Sequence, residues 1–297
     1  MSIEQAPRTT TASPAEQQTI GLIGLGLLGS ALGSRLIEQG IEVLGFDIDR
    51  DACDRFVRSD GEVAESLPQV AGCKQIILSL PTSTIGRQVI DDLQPHLKPA
   101  TAIIDTTTGS PTDAEVAAGL LGAASVEYLD ATVGGSSKQA RRGDAIIMCG
   151  ATDDGFESCR TTLERLSSRL FHTGLPGSGS RMKLVTNLVL GLNRAVLAEG
   201  LAFAEAQGLD AASVLAILAA GPAASRVMDI KGRRMIERDF APEARLRQHA
   251  KDVGLILETA HEAGRELPLS QLHAELLQGL IDRGLGDLDN SAIREAF

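Results

Sequence analysis

The sequence predicts an α/β chain in two parts, an N-terminal doubly wound parallel sheet followed by an all-α C-terminal domain. Three observations carry this. Short apolar runs alternate with helical periods from Ile20 to Thr173, the pattern of strands joined by crossover helices. A glycine-rich turn links the first run to its helix. From Arg181 onward no stretch reads as a strand, and helical periods follow one another to the C-terminus. The expected divisions are 1–18, a disordered tail rich in Thr, Ser, Gln, Ala and Pro, then 19–176 and 177–297.

The first run, Ile20–Ile23, enters Gly24-Leu25-Gly26-Leu27-Leu28-Gly29. A helix leaves it, with Leu27, Leu28, Ala31, Leu32, Leu36 and Ile37 on one face, and Gly40 stops that helix. A second run, Ile41–Phe46, ends at Asp47. Strand, glycine turn, helix, strand and acid form the dinucleotide-binding fingerprint of a Rossmann domain. Gly24 permits the tight turn, Gly26 lets backbone approach a pyrophosphate, and Gly29 lets the helix pack close to the strand. The free N–H groups and dipole of the helix start attract phosphates. Asp47 stands where a carboxylate can bind both ribose hydroxyls, which favours NAD over NADP.

The remaining elements follow in order. Asp49–Arg58 reads as a short helix and Gln75–Leu80 as a buried strand closed by Pro81-Thr82-Ser83. A helix starts near Ile85. Thr101–Thr106 is a strand, then comes the polar turn Thr107–Pro111 and a helix to Leu121. Val126–Asp130 and Ala145–Gly150 read as strands, with Val133–Ser136 between them as a glycine-rich loop. Asp153–Ser168 is a helix and Arg169–Thr173 the last strand. In such sheets ligands bind beyond the carboxyl ends of the strands. The turns at Gly24–Gly29, Leu80–Thr84 and Thr106–Pro111 are therefore either ordinary loops or the walls of one cofactor cleft.

The helical part opens with Arg181–Gln207, periodic through Met182, Val185, Leu188, Val189, Leu192, Val196 and Leu197 and roughly 40 Å long. Helices are expected at Ala211–Ala220, Ser225–Arg238, Arg245–Ala263, Leu269–Arg283 and from Ser291. A long helix apolar over more than one face needs cover, which makes it the spine of this domain and an oligomer contact.

Composition narrows the function. A formal charge of −11 argues against nucleic acid and anionic membrane surfaces as partners. The paired arginines Arg141-Arg142 and Arg233-Arg234 read as solvated faces. No apolar run approaches a membrane span, and residues 1–18 lack the apolar centre of a secretory signal. Cys53, Cys73, Cys149 and Cys159 show no metal spacing and read as core residues of a cytoplasmic protein. No His, Asp or Glu spacing points to a metal. His96, His172, His261 and His273 have no evident partners, and His249 lies close to Lys251.

Lys183 and Asn187 stand four apart, on one helix face. Spacing alone leaves two readings, a solvated lysine or a proton-transfer group with an amide beside it. A set of motifs decides between them. Gly21–Gly26, Leu80-Pro81-Thr82, Asp105–Pro111, Gly177-Ser178-Gly179 through Lys183 and Asn187, and Asp239-Phe240 through Lys251-Asp252 together resemble the β-hydroxyacid dehydrogenase family. That family includes 3-hydroxyisobutyrate dehydrogenases and tartronate semialdehyde reductases, within the 6-phosphogluconate dehydrogenase-like superfamily. The likeness runs from about Ile20 to Ile293.

The resemblance implies an NAD-dependent oxidoreductase, with NADP as the second option, acting on a small carboxylate-bearing 3-hydroxy acid or its semialdehyde or keto acid. It implies Lys183 and Asn187 as catalytic residues and Gly134, Gly135 and Ser136 as the substrate loop. Cofactor contacts are implied at Gly24, Leu25, Gly26, Leu27, Leu28, Gly29, Asp47, Leu80, Pro81, Thr108 and Lys251, and a homodimer or homotetramer as the assembly. The substrate loop departs from the family's D-A-P-V-S-G-G. Gly134 holds the usual serine position and Ser136 a glycine position, so the hydroxyl reaches a carboxylate from a shifted place. Ala244 replaces an expected aromatic and Arg247 an expected acid; Arg247 either reads a larger acidic substrate or is solvated. The rival readings are an imine or other C=X reductase of the same fold, which the lysine disfavours, and a non-catalytic dinucleotide-binding interaction protein.

Overall fold

The computed structural model describes residues 19–297, so the expected tail lies outside the described residues. The chain alternates strand and helix as β1 (Ile20–Ile23), α1 (Leu27–Glu38), β2 (Val43–Phe46), α2 (Arg50–Val57), β3 (Glu62–Val63), α3 (Leu67–Val70), β4 (Gln75–Leu78), α4 (Ser83–Leu93), β5 (Ala102–Asp105), α5 (Pro111–Gly122), β6 (Glu127–Gly134), α6 (Ser137–Arg142), β7 (Ile146–Gly150), α7 (Asp153–Leu166) and β8 (Arg169–Gly174). The helical part comprises α8 (Ser178–Ala206), α9 (Ala211–Ala220), α10 (Arg233–Glu237), α11 (Leu246–Glu262) and α12 (Pro268–Asp282). Two compact units part at Lys183/Leu184, inside α8, whereas the sequence places its division at 176/177.

In the first unit eight strands form one sheet in the order β3-β2-β1-β4-β5-β6-β7-β8. Chain order reverses beside β1, which makes the carboxyl ends of β1 and β4 the topological switch point. The period of two sends alternate residues to opposite faces. Leu22, Ile77, Ile104, Leu129 and Ile147 pack under α1, α6 and α7; Ile23, Ile76, Leu78, Ile103 and Tyr128 pack under α3, α4 and α5.

The doubly wound parallel sheet is present as expected, with one antiparallel pair within it: β6 and β7 run from Asp130↔Gly150 to Gly134↔Ile146. For the same reason Val133 and Gly134 are strand rather than loop, since Ile147 and Ile146 supply ladder partners that offset the glycine's weak strand preference. The short elements β3, α3 and α6 carry too little periodicity to be visible in sequence.

The second unit packs Ala195, Leu197, Ala198 and Leu201 of α8 against Val253 of α11, Leu277 and Leu280 of α12, and Ile293. Of the apolar residues that set the α8 period, Val185, Val189 and Val196 are exposed, so the covered stripe is narrower than expected. Among the described residues α8 is the one helix long and apolar enough to cross a membrane. Its buried Lys183, Asn187 and Arg194 mark it as a core helix. The stretch expected as one helix over Ser225–Arg238 instead contains a π-helical turn, Met228–Gly232, before α10. That turn places Lys231 against Asp289, a fully enclosed carboxylate 2.7 Å from its Nζ. Burial opposes the Asp289 charge, yet Lys231 and Ser291 bring its pKa down to about 2. Asp289 also accepts the N–H groups of Glu243, Ala244 and Ser291, which ties the C-terminal segment to the unit. The last segment, Asn290–Ala296, is a 3₁₀-helix.

Three local readings also change. Arg234 is not on a solvated face: its side chain is largely buried within 3.5 Å of both Glu243 and Asp289. His172 has partners, since it stacks on Phe156 with centroids 4.4 Å apart and its Nε2 lies 3.0 Å from the Ala151 carbonyl. Leu27 is exposed rather than part of the buried α1 face, because it is the first helical residue after the turn.

Candidate active site

The glycine turn has the geometry that its residue types require. Gly24 has φ +94°, and a Cβ there would lie 2.3 Å from the Ser79 carbonyl oxygen. A Cβ on Gly29 would meet the Gly24 carbonyl oxygen at 1.8 Å, so α1 packs directly on the turn. At Gly26 the same construction meets nothing within 4 Å. Gly26 is the N-cap of α1; it offers no side-chain cap, and the first turn carries no acid. The helix therefore presents a cradle of N–H groups to open space, which fits the pyrophosphate of a dinucleotide. Asp47 is aimed there: its Oδ2 accepts the Leu25 N–H at 2.6 Å and its Oδ1 accepts the Asp49 N–H at 2.9 Å. Leu25 itself is buried and Leu28 half-buried, so these two hold the turn while Gly26 and Leu27 are its exposed part.

The second and third turns are knitted together. Thr106 Oγ1 donates to the Leu78 carbonyl at 2.7 Å, and Thr107 Oγ1 accepts the Leu80 N–H at 3.1 Å. Leu80, exposed Pro81 and half-buried Thr108 are thereby fixed on adjoining loops at the carboxyl ends of β4 and β5. Below them Asp105 accepts the Thr107 N–H and the Tyr128 hydroxyl, and burial pushes its carboxyl up. A small pocket, of about 20 Å³, is lined by Ser83, Asp105, Thr107, Tyr128 and Ser180, and by no residue of the glycine turn.

Around β6 the structure assembles the third part. Lys183 is buried on α8, and its Nζ donates to the Val133 carbonyl at 2.6 Å. Val133 immediately precedes Gly134-Gly135-Ser136, so the amine sits at the base of the expected substrate loop. Gly135 is exposed with φ +143°. Ser136 caps α6: its Oγ accepts the Gln139 N–H at 3.3 Å, and its own N–H bonds the Gln139 side chain at 2.9 Å. That capping box engages the hydroxyl at the shifted position.

The start of α8 is itself pinned by an acid that the sequence reading did not single out. Asp130 accepts the Gly177 N–H at 3.0 Å and the Ser180 N–H at 2.6 Å. Burial pushes its pKa up to about 6 against these bonds. A Cβ on Gly179 would stand 2.2 Å from the Asp130 carbonyl oxygen, which explains a glycine at that point of the motif. An acid ending a buried apolar run was the available signal.

In the second unit Asn187 is buried and donates from Nδ2 to Asp252 Oδ2 at 3.0 Å. Lys251 Nζ lies 3.2 Å from Asp252 Oδ1. Asp252, adjacent to Lys251 in sequence, was therefore the missing member of that pair. Arg247 forms a two-point ion pair with Asp287 at 2.8 and 2.9 Å and is half-exposed, which is the solvated reading of that departure.

These motifs agree with known proteins. The model of the NAD binding domain of 6-phosphogluconate dehydrogenase matches residues 19–174. The model described as NAD-binding of NADP-dependent 3-hydroxyisobutyrate dehydrogenase matches residues 177–297. Among relatives, 2-(hydroxymethyl)glutarate dehydrogenase of Eubacterium barkeri is 31% identical, over 92% of this chain and 93% of its own. The 2-hydroxy-3-oxopropionate reductase of Escherichia coli K12 is 30% identical, over 94% of this chain and 96% of its own. The solved structure of a Mycobacterium tuberculosis 3-hydroxyisobutyrate dehydrogenase with L-serine aligns at TM-score 0.86 and 27% identity, covering 94% of this chain and 99% of that one. Both halves of the chain are thus matched, and the turn that distinguishes the first half has the required shape: the chain belongs to the β-hydroxyacid dehydrogenase family, NAD(P)-dependent oxidoreductases that act on CH–OH groups.

Proposed function

We propose that this protein interconverts a small carboxylate-bearing 3-hydroxy acid and its semialdehyde or keto acid, with Lys183 as the proton-transfer group. The observation that carries the proposal is the Lys183 Nζ on the Val133 carbonyl, at 2.6 Å, one residue before the Gly134–Ser136 loop. A nicotinamide dinucleotide, when bound, supplies or accepts the hydride. In oxidation Lys183 takes the hydroxyl proton as the C–H bond gives up its hydride, and in reduction it returns that proton to the alkoxide oxygen. Gly135 brings side-chain-free backbone to the substrate carboxylate, with the Ser136 hydroxyl available when it leaves its capping bond. Asn187, oriented by Asp252, holds the reacting oxygen.

The α1 cradle would hold the pyrophosphate and Asp47 the ribose hydroxyls, with Leu80, Pro81, Thr108 and Lys251 towards the nicotinamide. A carboxylate at Asp47 repels a 2′-phosphate, so NAD is the preferred cofactor. The exposed apolar residues Val185, Val189, Val196 and Phe203 on α8 support assembly into a homodimer or homotetramer. The four free cysteines support a cytoplasmic location. The test is a panel of small 3-hydroxy acids with NAD and with NADP, read by nicotinamide absorbance. Turnover is expected, with NAD bound more tightly. Cofactor binding without turnover on any member would instead support a dinucleotide-binding protein without catalysis.

A further inference from the structure

Strand β6 has two different faces. Its period of two sends Leu129, Ala131 and Val133 into the apolar core and turns Asp130 and Thr132 to the opposite side. Both of these polar side chains are buried. Burying a polar group is destabilising unless it is bonded, and these two are bonded to the start of α8. Asp130 accepts the N–H groups of Gly177 and Ser180 at 3.0 and 2.6 Å. Thr132 Oγ1 lies 3.0 Å from the Gly179 carbonyl oxygen and 3.3 Å from that of Met148, so one hydroxyl is shared between the helix and β7.

In an α-helix the carbonyl of Gly179 is the acceptor for the N–H of Lys183, four residues on. Thr132 therefore holds the carbonyl to which the Lys183 backbone is bonded. The tip of the same side chain is held by the next residue of the strand, where Nζ donates to the Val133 carbonyl at 2.6 Å. Root and tip of one lysine are thus both fixed to β6. Gly179 permits the close approach, since a Cβ there would lie 2.2 and 2.7 Å from the Asp130 and Met148 carbonyl oxygens. The strand is itself held on both sides, by β5 and by β7. Capping a helix needs one acceptor. Here an acid takes two N–H groups and a hydroxyl takes a carbonyl within the same turn.

We propose that Asp130 and Thr132 are positioning residues that brace the start of α8 on β6 and so hold the Lys183 amine at one place for proton transfer. A neutral amine that gives one N–H to the Val133 carbonyl keeps its lone pair for a substrate hydroxyl, and an ammonium keeps two further N–H groups. What the brace fixes is the location of Nζ, and a misplacement of about 1 Å costs about 10²-fold in rate. This rests on the proposed role of Lys183, but the brace itself can be read without turnover.

Two near-isosteric variants test it. Thr132→Val removes the hydroxyl, and Asp130→Asn sets an amide NH₂ against one of the two helix N–H groups. The probe is acetic anhydride, with acetylation of buried Lys183 read by mass relative to exposed Lys98 in the same sample. The Lys183 ratio should rise about threefold in Thr132→Val and about tenfold or more in Asp130→Asn, and kcat should fall by similar factors. KM and NAD affinity should stay within about twofold of the wild type. Thiol labelling of Cys159, buried in the same unit, should keep the wild-type rate. Thr132→Ser should restore the ratio and kcat in part. If Asp130→Asn melts below the assay temperature, Thr132→Val decides alone. An unmoved Lys183 ratio in either folded variant overturns the inference. So does a ratio that rises only together with Cys159 labelling, since the whole unit then opens rather than the mount. If no hydroxy acid is turned over but Lys183 acetylation still responds, the enzymatic reading fails and the brace stands.

Discussion

Two helix starts in the first unit use the same residue types for opposite ends. At α1, Gly26 has no neighbour within 4 Å where a side chain would stand, Asp47 accepts the N–H of Leu25 just ahead of the helix, and among the described residues no side chain caps the N–H groups of the first helical turn. At α8, Gly179 is pressed on the backbone of β6 and β7, and Asp130 already occupies the N–H groups of Gly177 and Ser180. The α1 start is left open for an anion from outside. The α8 start is closed by an anion from within, and so becomes a fixed mount for Lys183. Glycine spacing alone does not separate a binding turn from a packing turn; the partner of the helix N–H groups does.

The difference can be broken from either side. Gly179→Ala should have the largest effect. Its Cβ would meet the Asp130 and Met148 carbonyl oxygens at 2.2 and 2.7 Å, both backbone. The variant should lose about 3 kcal/mol or more, at the upper end for overpacking, with NAD affinity little changed in the fraction that folds. Thermal melting and cofactor titration separate the two.

The internal anion at α8 can be read through pH. The Asp130 pKa is raised in the folded state from 3.8 to about 6, chiefly by burial. The native chain therefore holds this proton more tightly than the unfolded chain. Its contribution to stability is greatest below pH 3.8 and falls as pH rises through about 6, by roughly 3 kcal/mol in all. Denaturant midpoints between pH 4 and pH 7 should show this decline in the wild type. In Asp130→Asn that component should be gone; an unchanged slope would contradict the assignment.

Gly26→Ala is the smallest and sharpest probe. Stability should stay within about 0.5 kcal/mol, since the added methyl meets open space. NAD affinity should fall about tenfold, or 1.4 kcal/mol, because the methyl occupies the pyrophosphate approach. A stable variant with full affinity would mean that α1 is a packing turn like α8.

What was legible in sequence was local. The run Ile20–Asp47 carries strand, turn, helix and acid within one stretch, so its fold and its ligand could be read together. Lys183 and Asn187 were legible through helical spacing and family likeness. The rest depends on distant partners. Nothing near Val133 announces that Ile146 and Ile147 will pair with its strand antiparallel. Asp130 acts on residues 47 and 50 positions away. Asp252 meets Asn187 across 65 residues, and periodicity in α8 groups Val185, Val189 and Val196 without saying which face is covered.

The most direct test of the proposed chemistry is the turnover of Lys183→Met, which keeps the aliphatic stem and removes the ammonium. With melting behaviour and NAD affinity matched to the wild type, kcat on a 3-hydroxy acid should fall by about 10²–10⁴-fold. The basic group seen in the wild-type pH profile for oxidation should be absent. A folded Lys183→Met protein that binds NAD and turns over at nearly the wild-type rate would contradict the account.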